Sequence, residues 1–97
     1  MAISGQCAYQ NADGRMQICW IDSGQARMKY EVTANNWSAD MDLGAHGALA
    51  LDGSKPTAMS RNQEGRLVFV AYATTGFRYA ISQVAMNSGW GSWNVLA

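Results

Sequence analysis

Residues 11–20 read NADGRMQICW and residues 62–71 read NQEGRLVFVA, nearly the same phrase 51 positions later. Each opens on Asn, passes through an acidic residue and Gly-Arg, and runs into an apolar stretch. Asp13 answers to Glu64 and Met16 to Leu67. Arg27 falls on Arg78 at the same offset, and Ser23-Gly24 lies one step from Thr75-Gly76. Two positions further out of step, Asn36-Trp37-Ser38 faces Gly89-Trp90-Gly91, and Leu43-Gly44 faces Leu96-Ala97. The chain is therefore two copies of a unit of roughly 45 residues, a period typical of propellers and solenoids.

Turn signals divide each copy. Asn11-Ala12-Asp13-Gly14 and Asn62-Gln63-Glu64-Gly65 have the composition of tight hairpin loops, with Gly supplying a positive φ. Ser23-Gly24 and Thr75-Gly76 mark the second turns, Asn35-Asn36 and Asn87-Ser88-Gly89 the third. The spacing predicts strands over 6–10, 15–21, 26–32 and 37–43, then 57–61, 66–72, 77–83 and 90–96. Ala26, Met28, Tyr30 and Val32 alternate with Arg27, Lys29 and Glu31, the period of a half-buried strand. Leu67-Val68-Phe69-Val70-Ala71-Tyr72 is apolar on both faces and must be covered on both. No run has helical periodicity, so the expected class is all-β. The expected architecture is two four-stranded antiparallel propeller blades in one domain spanning 1–97. Blade one runs over about 5–44, a connector over 45–55 and blade two over about 56–97. Two blades bury one blade-to-blade contact and leave two faces uncovered. A closed ring then requires identical chains in head-to-tail contact, or further blades on a longer chain.

Composition narrows the function. Seven basic and seven acidic residues cancel, and charged residues make up only 14% of the chain. No basic stripe exists to hold a phosphate backbone, which argues against nucleic acid as a partner. No apolar run approaches a membrane span, and the first twenty residues carry no secretion-type apolar region. The sequence reads as a soluble chain made in the cytoplasm, with release to the outside left open, and without membrane insertion. His46 is the only histidine, in the Gly-rich connector, and no Ser or Cys is tied to it by spacing. Asp40 and Asp42 sit two apart and read as a solvated strand edge. No metal-ligand cluster, phosphate-cradling loop or cofactor motif is present, so the expectation is a protein that is not an enzyme and needs no metal or cofactor. Cys7 and Cys19 flank the first turn. Their counterparts Ala58 and Val70 favour buried thiols over a cross-strand disulfide.

The second copy, NQEGRLVFVAYATTGFRYAISQVAMNSGWGSWNVLA over 62–97, combines Asn-x-acidic-Gly-Arg-apolar with Gly-Trp-x-x-Trp-x-x-Leu. In this it resembles the blades of bacterial β-propeller lectins of the Photorhabdus type. Pro56 stands where those blades place a Pro before the innermost strand. The first copy departs from the pattern: Asp40 replaces the second Trp, and Trp37 lacks its preceding Gly. The resemblance implies a carbohydrate-binding lectin with shallow sites at blade junctions, for fucose or a related monosaccharide. Two-blade chains that trimerise into a six-bladed ring are an architectural parallel from other fucose-binding lectins. On residue chemistry, an indole face suits the C–H face of a sugar and a guanidinium fork donates to its hydroxyls. The candidate sugar-binding residues are Trp37, Arg27, Arg78, Tyr79, Trp90 and Trp93. Against this stands packing: Trp90 and Trp93 equally suit a seal against the next blade, and Trp20, alternating with Ile18 and Met16, suits a core. The alternative reading is a propeller fragment or an oligomerisation and protein-interaction scaffold that binds no sugar.

Overall fold

In the computed structural model the chain is described over residues 3–44, 49–86 and 89–97. His46 and the Asn87-Ser88 part of the third turn lie outside the described residues. The two copies of the opening phrase fold alike. Asn11 N–H donates to the Arg15 carbonyl at 2.7 Å, and Gly14 N–H donates back to the Asn11 carbonyl at 2.9 Å. Asn62, Arg66 and Gly65 repeat these bonds at 2.9 and 3.0 Å. Gly14 and Gly65 take φ of 92° and 78°, so each phrase closes a three-residue hairpin loop on a left-handed glycine.

The first sheet contains β1 (Ile3–Gln10), β2 (Met16–Asp22), β3 (Gln25–Thr33), β4 (Asn36–Trp37) and β5 (Met41–Asp42). The second contains β6 (Ala58–Arg61), β7 (Leu67–Tyr72), β8 (Arg78–Ser82) and β9 (Asn94–Val95). Each sheet is an antiparallel meander in chain order, with β5 pairing with β3 beside β4. The fold is all-β, two sheets of antiparallel strands. The first three strands of each copy lie where the pattern predicts them. The fourth strands do not run over 37–43 and 90–96 as expected. In the first sheet Ser38 Oγ accepts the Tyr30 N–H at 3.1 Å, taking the place of a ladder carbonyl, and the strand is broken until Met41. In the second, Trp90 makes an isolated bridge to Gln83 before Asn94 rejoins the edge.

The second turns differ by one residue, with a consequence for everything after them. Ser23 and Gly24, at φ 54° and 81°, form a two-residue turn between Asp22 and Gln25. In the second sheet Ala73 N–H reaches the Phe77 carbonyl at 2.8 Å across a three-residue loop ending in Gly76. Arg27 therefore stands opposite Trp20, whereas Arg78 stands opposite Tyr72, the counterpart of Ile21. Tyr79, opposite Ala71, occupies the place that Arg27 holds in the first sheet.

Cross-strand partners share a face and successive residues alternate, so the core can be assigned face by face. Gln17, Cys19 and Ile21 with Ala26, Met28 and Tyr30 form the inward face of the first sheet. Leu67, Phe69 and Ala71 with Tyr79 and Ile81 form that of the second. Cys19, Ile21, Ala26, Met28, Phe69, Ala71 and Ile81 pack as one cluster, closed by Leu43 and by Leu51 of the connector. Full burial of a Phe, Leu or Ile side chain contributes about 1.5–3 kcal/mol, so Phe69, Ile21, Ile81 and Leu43 hold the sheets together.

The two faces that meet are not equivalent positions of the repeat. Gln17, Cys19 and Ile21 have Val68, Val70 and Tyr72 as counterparts, on the outward face of the second sheet. Leu67, Phe69 and Ala71 have Met16, Ile18 and Trp20, on the outward face of the first. Trp20 is only 4% exposed, yet lies outside the inter-sheet cluster.

Candidate functional site

Three amide side chains occupy the seam between the sheets. Asn11, Gln17 and Gln83 are 5%, 3% and 2% exposed, so none relies on bulk water. Gln83 Nε2 donates to Asn11 Oδ1 at 2.9 Å across the sheets, and Leu67 N–H donates to Gln83 Oε1 at 2.7 Å. Asn11 Nδ2 donates to the Arg15 carbonyl at 3.2 Å and to Gln17 Oε1 at 3.4 Å. A buried amide that loses its partner costs about 1–3 kcal/mol, so this network is fixed in place. Glu31 does for Met16 N–H, at 2.8 Å, what Gln83 does for Leu67.

Beside the amides opens a cleft of about 440 Å³, lined from both sheets. Tyr30, Met28 and Met41 of the first sheet and Trp90 of the second give it apolar walls. Arg15 sits with its guanidinium carbon 5.8 Å from the Tyr30 ring centroid and is tied to Asp13 by a 2.7 Å ion pair. The Asp13 carboxyl lies below its ordinary range, chiefly because the Arg15 backbone N–H donates to it. Asp42 supplies a carboxylate to the lining and is paired with Arg27 at 3.0 Å. The Trp90 indole N–H is buried without a hydrogen-bond partner in the protein. Aromatic walls, amides and one charge of each sign suit a neutral polyhydroxylated or amide-bearing ligand with an apolar face. Among the described residues no three His, Cys, Asp or Glu side chains gather as a metal site.

Of the six candidate residues only Trp90 lines this cleft. Trp93 packs on the core, edge to face with Phe69 at 6.3 Å and 71°. Tyr79 is half-buried on the inward face of the second sheet but outside the lining. Arg78 is exposed on the outward face, and its Nε donates to the Ala97 carbonyl at 3.3 Å. Arg27 lies on the outward face of the first sheet, and Trp37, 40% exposed, pairs with Glu31 on β3. The six do not form one constellation. Asp40 and Asp42 are ion-paired to Lys29 and Arg27 at a strand edge. Asn11, Gln17, Tyr30 and Gln83 are the residues that sequence reasoning passed over. Gln17 and Gln83 carry a legible signal, since each is polar at an inward position of an otherwise apolar alternation.

No protein-family model matches the chain, and no curated protein matches it. Among the described residues no helix is long and apolar enough to cross a membrane.

Proposed function

We propose that the chain is a non-catalytic assembly module, a two-blade propeller unit that stacks head to tail on further copies of itself. The observation that carries this reading is the non-equivalence of the packed faces. Inside the chain, the Cys19 face of one repeat meets the Phe69 face of the next. The counterparts left outward are the half-buried Val68, Val70 and Tyr72 at one end and the half-buried Met16 and Ile18, beside an already buried Trp20, at the other. A second chain can repeat the internal contact with those two faces, and rotation by a constant step closes a ring. Three chains and six blades are the preferred closure. Val70→Arg places a charge in the centre of that contact and leaves the inter-sheet core untouched. Sedimentation velocity should show the assembly reduced to folded monomers, and an unchanged mass would reject this interface.

A second reading, carbohydrate binding, is favoured by the cleft itself. Its walls join Trp90 and Tyr30 to amides, Arg15 and Asp42 at a sheet-to-sheet junction, where the lectin resemblance locates sugar sites. Calorimetry against fucose and related monosaccharides tests it. Binding lost in Trp90→Ala with an unchanged far-ultraviolet dichroism spectrum supports sugar recognition. No binding to a glycan array leaves the assembly module alone.

A further inference from the structure

The first sheet departs from its repeat at one facing pair. Cys7 and Cys19 stand directly opposite each other across β1 and β2, where β6 and β7 pair Ala58 with Val70. Both are free thiols on the inward face. Met59 reaches Cys19 from the other sheet, its Sδ 3.6 Å from Cys19 Sγ, and Thr57 Oγ1 stands 3.8 Å from Cys7 Sγ. The counterpart of Met59 is Ala8, so three sulfurs converge here while the equivalent outward positions, Ala58, Val70 and Ala8, carry none. Strand register places two of them, and sheet packing brings the third.

Cysteine sulfur and thioether sulfur together select soft, low-valent cations, Cu(I) above all, over the harder ions held by oxygen. Metal–sulfur bonds of about 2.3 Å place neighbouring sulfurs of a trigonal site about 4 Å apart. The 3.6 Å between Cys19 and Met59 is close to that spacing without a backbone shift. Cys19 is buried and Cys7 half-buried, so a cation reaches the seam from the Cys7 side. We propose that Cys7, Cys19 and Met59 form a three-sulfur site for Cu(I) in the seam between the sheets. Each thiol releases its proton to solvent as its sulfur bonds the metal, with no change of oxidation state. Binding therefore strengthens as pH rises.

The test is anaerobic titration of the reduced full chain with Cu(I) in competition with a coloured Cu(I) chelator. One equivalent per chain, with thiolate-to-copper absorption in the ultraviolet, is the expected result. Met59→Leu keeps the apolar volume and should weaken Cu(I) at least tenfold while its metal-free melting curve matches the parent. Cys7→Ala, which writes the second copy's residue into the first, should abolish stoichiometric binding. A Met59→Leu protein that binds as tightly as the parent reduces the site to an ordinary dithiol and overturns the proposal. So does a parent chain that never competes with the chelator.

Discussion

Replacing Gln83 with Leu tests whether the amide network is the fixed floor of the cleft. The substitution keeps much of the volume but removes an acceptor from Leu67 N–H (2.7 Å) and a donor from Asn11 Oδ1 (2.9 Å). Both orphaned groups stay in a seam where Gln83 itself is 2% exposed. At about 1–3 kcal/mol for each buried group left unpaired, less a partial gain from the added apolar surface, the net loss is about 2–4 kcal/mol. For a domain of this size each kcal/mol moves Tm by about 4–8 °C, so Gln83→Leu should melt about 8–32 °C lower. Urea denaturation at one fixed protein concentration is the assay, because the proposed self-association would couple stability to concentration. A double-mutant cycle with Asn11→Ala isolates the bond across the sheets and should return a coupling of about 1 kcal/mol. A loss under about 0.5 kcal/mol, or strictly additive variants, would refute the buried network by showing that water already serves these amides.

Gly44 adopts φ 74°, and a Cβ there runs into Ile81 Cδ1 and lies 3.0 Å from the Gly91 carbonyl oxygen. Gly44→Ala should cost about 1–3 kcal/mol in urea titrations, the usual range for a strained left-handed residue, and a neutral effect would contradict the packing of Leu43-Gly44 against the second sheet. Arg27→Ala breaks only a half-exposed pair with Asp42, so its stability change should stay below about 1 kcal/mol, and a larger loss would contradict its outward placement. Burial raises both thiols above their ordinary value of 9.0. The unfolded chain then loses these protons first, so their contribution is full below about pH 9 and declines as pH rises further. Urea midpoints should fall between pH 8 and 10.5 in the parent and fall less in Cys7→Ala/Cys19→Val. Equal slopes in both proteins would assign the pH response elsewhere.

The strands were legible because their signals are local. Asn11…Gly14 and Asn62…Gly65 fix two hairpins through backbone bonds within five residues, and the alternation over 26–32 names its own inward face. The fourth strands were not legible, because the break after Trp37 depends on a hydroxyl of Ser38 taking a ladder position opposite Tyr30. The apparent match of Arg27 with Arg78 was misleading for a similarly small reason. One extra loop residue after Tyr72 sets Arg78 opposite the counterpart of Ile21 instead of that of Trp20. The two Arg therefore lie on opposite faces of the repeat, although both point away from the core. For the cleft, the decisive contact joins Asn11 to Gln83 across 72 positions. Aromatic and cationic residues were selected by type, and of the six only Trp90 lines the cleft. Their faces decide whether they meet, and faces emerge only when the sheets are set against each other.

Self-association is the central claim, and its most direct measurement is the mass of the chain in solution. Light scattering coupled to size exclusion should give one species of about 32 kDa, three times the 10.5 kDa chain. That mass should hold constant as the concentration rises tenfold, as a closed ring requires. A folded species of single-chain mass at micromolar concentration would contradict the head-to-tail stacking, whereas a closed dimer or tetramer would contradict only the count of six blades.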